Sequence, residues 1–252
     1  MTMDMARFYR EEDMFPREFT GMEKRPWGVM FHNEQNRDSY DSNHALIFRD
    51  KVDDLPAVLR EIAAFYLSRG LHPVIYQSIL DDGWFGEIAG ALDAAGYRSW
   101  LEEQTYMALT APSAIVPDPA ITVRQETVWQ DVFGREIFEA AGEPWEIPVV
   151  RRQLQNPGTR FFAAYAQGRP VGMIYGHVNA ENVCRIDYLL VATAARGRGV
   201  GRALTHAFVH HCRETGVDCV LWPDGDTPRR IYEEAGFRYV ETRFAGRASW
   251  KV

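Results

Sequence analysis

The chain has only three cysteines in 252 residues, Cys184, Cys212 and Cys219. An odd count without Cys-x-x-Cys spacing suits buried, reduced thiols better than a disulfide scaffold or a zinc site. Positive charge is also in short supply. Lys and Arg number 28 against 35 Asp and Glu, a formal net charge of −7, which argues against nucleic acid or an anionic membrane as the main partner. No apolar run approaches the roughly 18 residues of a membrane span, and residues 1–10 lack the apolar centre of a secretory signal. A cytoplasmic protein is expected. What the chain does have is hydrophobic mass: 46% apolar residues and 13% aromatics fill a real core and exclude disorder.

The feature richest in chemistry is Arg196-Gly197-Arg198-Gly199-Val200-Gly201-Arg202. It stands between a β-like apolar run, Ile186 to Val191, and an amphipathic helical stretch whose stripe is Val200, Leu204, Ala207, Phe208 and His211. Glycine tolerates positive φ and has no Cβ, so such a turn folds tightly and offers bare N–H groups to an anion. The helix start adds unpaired N–H groups and the positive pole of its dipole. Taken alone, the glycines fit a dinucleotide fingerprint, a Walker-type loop or a hinge. The turn comes late in the chain, Asp218 opens the next strand instead of ending it, and no Gly-Lys-Ser/Thr follows. The first two readings are weakened accordingly.

The surroundings narrow the choice. Leu189-Leu190-Val191, then Arg196-x-x-Gly199-x-Gly201, a helix, a strand Cys219 to Trp222, and Ile231-Tyr232-Glu233-Glu234-Ala235-Gly236-Phe237 follow one another. In this order and spacing the segments resemble the GNAT acyltransferase superfamily over roughly residues 120–252. The resemblance implies an α/β fold with a mixed β-sheet. It also implies acetyl-CoA as co-substrate, with its pantetheine arm on the backbone of Leu189 and Val191. Its pyrophosphate would sit on Arg196, Gly197, Arg198, Gly199, Val200, Gly201 and Arg202, and Tyr232 would protonate the departing thiolate. One departure is visible: the asparagine often found seven residues before that tyrosine is Gly225 here.

The family has no fixed general base. Asp187 is the first candidate, at even spacing from Leu189 on an extended strand and so expected on the same face. Glu143, Glu146, His177 and Asp224 are further candidates, and Trp145 and Trp222 are candidate acceptor-lining residues. His206, His210 and His211 share a helix but have no third ligand at a suggestive spacing, so no metal is expected. The resulting expectation is an acetyl-CoA-dependent N-acetyltransferase acting on a primary amine of a small molecule or peptide. It would work without nucleic acid or membrane, with a homodimer as the one assembly considered. The alternative is a non-catalytic CoA-binding sensor.

The chain is long for one such domain. Ala111 to Pro119 holds three prolines in nine residues and reads as an extended linker. Before it, Leu67 to Tyr76 parallels Arg213 to Trp222, and Leu92 to Arg98 parallels Tyr232 to Arg238. Two tandem GNAT-like domains are expected: residues 1–113 degenerate, 114–119 a linker, and 120–252 the acetyltransferase. The Gly-rich turn projects back onto Asp50 to Pro56, which has no glycine, and Tyr232 projects onto Leu92. Within the second half, strands are expected at 121–124, 160–166, 170–179, 184–191, 219–222 and around 239–248, with helices at 127–140, 145–155, after the turn, and 228–235.

Overall fold

The computed structural model describes residues 4–251, apart from the side chain of Trp145. The chain folds as two compact units: Thr105–Glu241, and Asp4–Gln104 together with the chain from Thr242 on. The proline-rich segment 111–119 therefore falls inside the C-terminal unit, and the last strand of the chain is shared by both units.

The N-terminal unit contains helix α1 (Met5–Asp13), strands β1 (Gly21–Arg25), β2 (Gly28–His32) and β3 (Ala45–Ile47), helix α2 (Leu55–Ser68), strand β4 (Val74–Gln77), and short helices α3 (Trp84–Glu87) and α4 (Ala89–Ala94). Its sheet runs β1-β2-β3-β4 and is completed by the far end of the chain's last strand, where Ala248 pairs with Ile75. Only β3 and β4 are parallel within it. Asp54 caps α2 by accepting from the Ala57 N–H. The buried face of α2, with Val58, Leu59, Ile62 and Tyr66, packs on Trp84, Phe85, Leu92 and Tyr97.

The C-terminal unit begins with the end of strand β5 (Tyr97–Leu109) and continues through β6 (Ile121–Glu126), a short helix α5 (Asp131–Phe133), α6 (Ile147–Gln153), β7 (Thr159–Ala166), β8 (Arg169–Val178), β9 (Val183–Val191), α7 (Val200–Glu214), β10 (Asp218–Leu221) and α8 (Asp226–Ala235), to the start of β11 (Phe237–Trp250). The sheet order is β6-β7-β8-β9-β10-β5, antiparallel except for β9 beside β10. β7 and β8 are joined by Gln167 and Gly168, both at positive φ (51° and 77°), the signature of a two-residue hairpin turn matched to sheet twist.

Two expectations change. The helix foreseen at 127–140 starts only at Asp131 and widens into a π-helical turn over Gly134–Glu139, which leaves Val128 70% exposed. Val128 lies ahead of the helix start and so stands outside the buried stripe of Phe133, Ile137 and Phe138. The C-terminal strands around 239–248 are one long strand, β11. No helix among the described residues is long and apolar enough to cross a membrane.

Candidate active site

β9 and β10 part company early. Their register covers only Val183, Cys184 and Arg185 against Asp218, Cys219 and Val220, and β10 ends at Leu221 while β9 runs on to Val191. On its other edge β9 stays paired with β8, and the Ala192 N–H donates to the Val171 carbonyl at 3.0 Å. In an antiparallel ladder successive residues alternate their hydrogen-bonding direction. Ala192 and Leu190 thus face β8, and Leu189 and Val191 turn their amides and carbonyls to the open side. These are the two positions expected to grip a pantetheine arm. The Val191 carbonyl already accepts from Arg196 Nε at 3.1 Å.

The Gly-rich turn stands at the mouth of this opening. Gly197 and Gly199 both adopt left-handed backbone, φ 74° and 80°, which any other L-residue adopts only under strain. Gly199 precedes the first turn of α7, and no side chain caps that end. The first intrahelical donor is the Ala203 N–H, bonded to the Gly199 carbonyl, so the N–H groups of Val200, Gly201 and Arg202 precede the helical ladder. Nothing lies within 4 Å of the space where a Cβ on Gly197 would stand. This open, donor-rich, positive helix end suits a diphosphate. Arg198 is exposed beside it, whereas Arg202 is engaged in an ion pair with Glu234 of α8. Beside Gly201, the side chains of Ile231, Leu189 and Val191 come within 3.5, 3.9 and 4.0 Å of its Cβ direction, so α8 flanks the open strand.

Tyr232 follows Ile231 on α8. It is 6% exposed, within the core cluster that holds Cys219 and Phe237, and meets the Phe237 ring edge-on at 5.8 Å. Burial, with Cys219 adding, pushes its hydroxyl well above the usual phenol range. Such a hydroxyl stays protonated.

Asp187 occupies a different face from the one its spacing predicts. The β8–β9 register passes from Tyr175↔Tyr188 directly to Gly176↔Ile186, so Asp187 is the extra residue of a β-bulge. The bulge resets the alternation, and Asp187 joins Tyr175 rather than Leu189. Burial, with the charge of Asp187 adding, raises the Tyr175 hydroxyl well above its usual range. Arg185 forms an ion pair with Asp187 and lies over the Trp222 ring at 4.9 Å, and Trp222 in turn meets Tyr106 edge-on at 5.5 Å. Tyr188 stacks on Tyr175 at 6.3 Å. Burial raises the Tyr188 hydroxyl well above its usual range, and the charges of Glu146, Glu143, Asp187 and Asp224 add to this. One aromatic hydroxyl thus lies in the field of all four candidate carboxylates.

The structure separates the other candidates. His177 stands opposite Arg185 in the register, at the end of β9 away from the Gly-rich turn. His206 meets Ser113 at 3.4 Å, His210 pairs with Glu214 at 3.2 Å, and His211 packs on Phe162. The side chain of Trp145 lies outside the described residues. Sequence reasoning missed Arg185, Tyr175 and Tyr188. Tyr188 adjoins Asp187 within the motif, but the bulge that groups these side chains leaves no mark in the spacing.

The profile of the acetyltransferase (GNAT) family matches residues 129–237. Residues 129–237 are a GNAT acetyltransferase domain. A mycothiol acetyltransferase of Thermomonospora curvata is 26% identical to the chain over 179 residues, 64% of the chain and 59% of the relative. One of Mycolicibacterium gilvum is 32% identical over 127 residues, 46% of the chain and 38% of the relative. The chain therefore spans less than two thirds of these relatives. Among solved structures, a GCN5-related N-acetyltransferase from Kribbella flavida superposes with a TM-score of 0.70 at 16% identity, covering 99% of the chain and 96% of that protein. The GNAT fold is thereby established, and acetyl-CoA is the usual donor of GNAT proteins. The splayed β9 and the uncapped start of α7 are the parts of this GNAT domain that fit such a donor.

Proposed function

We propose that the protein is an acetyl-CoA-dependent N-acetyltransferase that acetylates the primary amine of a small molecule. The observation that supports the reading is the gap beside β9, where Leu189 and Val191 turn their backbone groups away from β8, beside a helix start with no side-chain cap. The pantetheine amides add to β9 as an extra strand, and the N–H groups from Gly197 to Arg202 surround the pyrophosphate. Arg196 and Arg198 supply charge to it.

In the transfer step the neutral amine attacks the thioester carbonyl, the C–N bond forms and the C–S bond breaks. Tyr232 gives its proton to the leaving thiolate. Asp187, steered by Arg185, draws in the ammonium form of the acceptor and takes up its proton directly or through water. The charges of Glu146, Glu143, Asp187 and Asp224, all felt at Tyr188, favour a cationic acceptor, and the mycothiol acetyltransferases among the relatives favour a small one.

The N-terminal unit reads as a degenerate copy of the same fold. Its order β1-β2-β3-β4 plus the end of β11 matches β7-β8-β9-β10 plus the end of β5, with one parallel pair at the corresponding place in each. Gly70 and Gly216, at φ 65° and 67°, end the corresponding helices α2 and α7.

The test measures free CoA release from acetyl-CoA over a panel of small amines, with Tyr232→Phe alongside. Turnover with at least one amine, lowered roughly 10²-fold in the variant, is expected. Tight CoA binding without turnover on any amine would instead establish the sensor reading, which the burial of Tyr232 in the core makes worth separating.

A further inference from the structure

The three cysteines are 28 and 7 residues apart in sequence and on three different elements, yet they meet. Cys184 and Cys219 are partners in the parallel register of β9 and β10, and Cys212 comes down on them from the last turn of α7. Their Sγ atoms all lie within 4.8 Å of one another, and the three residues are 0%, 1% and 1% exposed. Among the described residues no other set of histidine, cysteine and carboxylate groups clusters this way. Twelve residues of helix, roughly 18 Å, separate Cys212 from the Gly-rich turn, so the cluster is apart from the donor site.

We propose that Cys184, Cys212 and Cys219 form a closed three-thiol site for one soft monovalent ion of the copper(I) type. The corners of a triangle with 4.8 Å edges stand about 2.8 Å from its centre, so the thiols need close by only about half an ångström to reach bonds of roughly 2.3 Å. Thiolates select soft ions. Three donors without a fourth suit three-coordination, whereas zinc in a structural site takes four ligands. The site lies within the core cluster that holds Ile186, Phe208, Val209 and Phe237. Cys212 also lies at the C-terminal end of α7, where the helix dipole favours positive charge. Ligation changes no oxidation state, and each thiol that binds as thiolate releases its proton to solvent.

The test is an anaerobic titration of copper(I) into the reduced full-length protein, in competition with a chromophoric copper(I) chelator. Expected are one ion per chain, sulfur-to-copper charge-transfer absorption, and at least a tenfold loss of affinity in each of Cys184→Ala, Cys212→Ala and Cys219→Ala, with circular dichroism confirming that the variants fold. Repeating the titration on protein refolded with copper(I) removes slow entry as a cause of failure. The proposal is overturned if the folded wild type takes no copper from the chelator by either route. It is equally overturned if the triple alanine variant binds as well as the wild type, or if zinc(II) binds there in preference to copper(I).

Discussion

The α-carbon of Gly236 lies so close to Ala111 that a Cβ built on it would stand 1.9 Å from the Ala111 carbonyl oxygen. Gly236 ends α8 at φ 104°, and its own carbonyl accepts from the N–H groups of Thr110 and Ala111 at 3.2 and 3.0 Å. The segment after β5 is thereby laced to the end of the helix that carries Tyr232. Gly236→Ala meets both a forbidden backbone angle and a backbone clash, so it should destabilise by more than about 2 kcal/mol. Urea unfolding measures this directly, and a midpoint within error of the wild type would refute the close approach.

At the turn, space and conformation make separate demands. A Cβ on Gly199 would meet only Ile121 Cδ1, at 3.9 Å, but the φ of 80° strains any side chain. Gly199→Ala should therefore cost about 1 kcal/mol in stability and weaken acetyl-CoA several-fold. Gly199→Asp adds a carboxylate where diphosphate charge is proposed to sit and should weaken binding at least a hundredfold. Calorimetry on both variants tests this. Equal losses would mean that backbone strain alone is responsible and that no anion sits at the turn.

The Gly-rich turn and the open edge of β9, where the donor is proposed to bind, were legible in the sequence because they are local. Glycines, a helix start and a strand end lie within 20 residues of one another. The acceptor side was not, because one unpaired residue in β9 reverses the face of Asp187, and a bulge is a property of the pair β8 and β9 rather than of either strand. The cysteine cluster was hidden for a related reason. Each thiol reads as a small core residue on its own element, and only the parallel register and the docking of α7 bring the three together. The π-helical turn over Gly134–Glu139 likewise depends on how that segment packs, and the helix pattern in the sequence carried past its true start.

Asp187 offers a way to separate chemistry from packing. Its carboxylate is paired with Arg185, with the two charged side chains 19% and 13% exposed. Asp187→Asn keeps the shape and removes the charge. Under the proposed role, kcat/KM for a cationic amine falls at least tenfold while acetyl-CoA affinity stays unchanged. A merely structural carboxylate predicts the opposite pattern, a lower unfolding midpoint with kcat/KM preserved.

Two buried groups of the N-terminal unit titrate against each other. Asp13 accepts from the Ser78 hydroxyl at 2.6 Å and from the Ile79 N–H at 3.0 Å, yet burial dominates and pushes its carboxyl from 3.8 up to about 7. His44 stacks on Tyr76 at 4.1 Å, and burial pushes its imidazole from 6.5 down to about 4. The signs differ. The stability tied to Asp13 is complete below pH 3.8 and is lost as pH rises toward 7, because the unfolded chain ionises there and the fold resists. The stability tied to His44 is complete above pH 6.5 and is lost as pH falls toward 4, because the unfolded chain takes up a proton that the fold refuses. Between about pH 4 and 6.5 the two slopes oppose, each at most roughly 1.4 kcal/mol per pH unit. Asp13→Asn should unmask the histidine, so that stability relative to wild type rises with pH across this window. His44→Gln should unmask the aspartate, and relative stability should then fall with pH. Urea unfolding at pH 4.5 and 6.5 decides the matter, since exposed carboxylates contribute equally to variant and wild type and cancel in the difference. A wild-type and Asp13→Asn pair whose stabilities run parallel across the window would show that Asp13 is ionised in the fold.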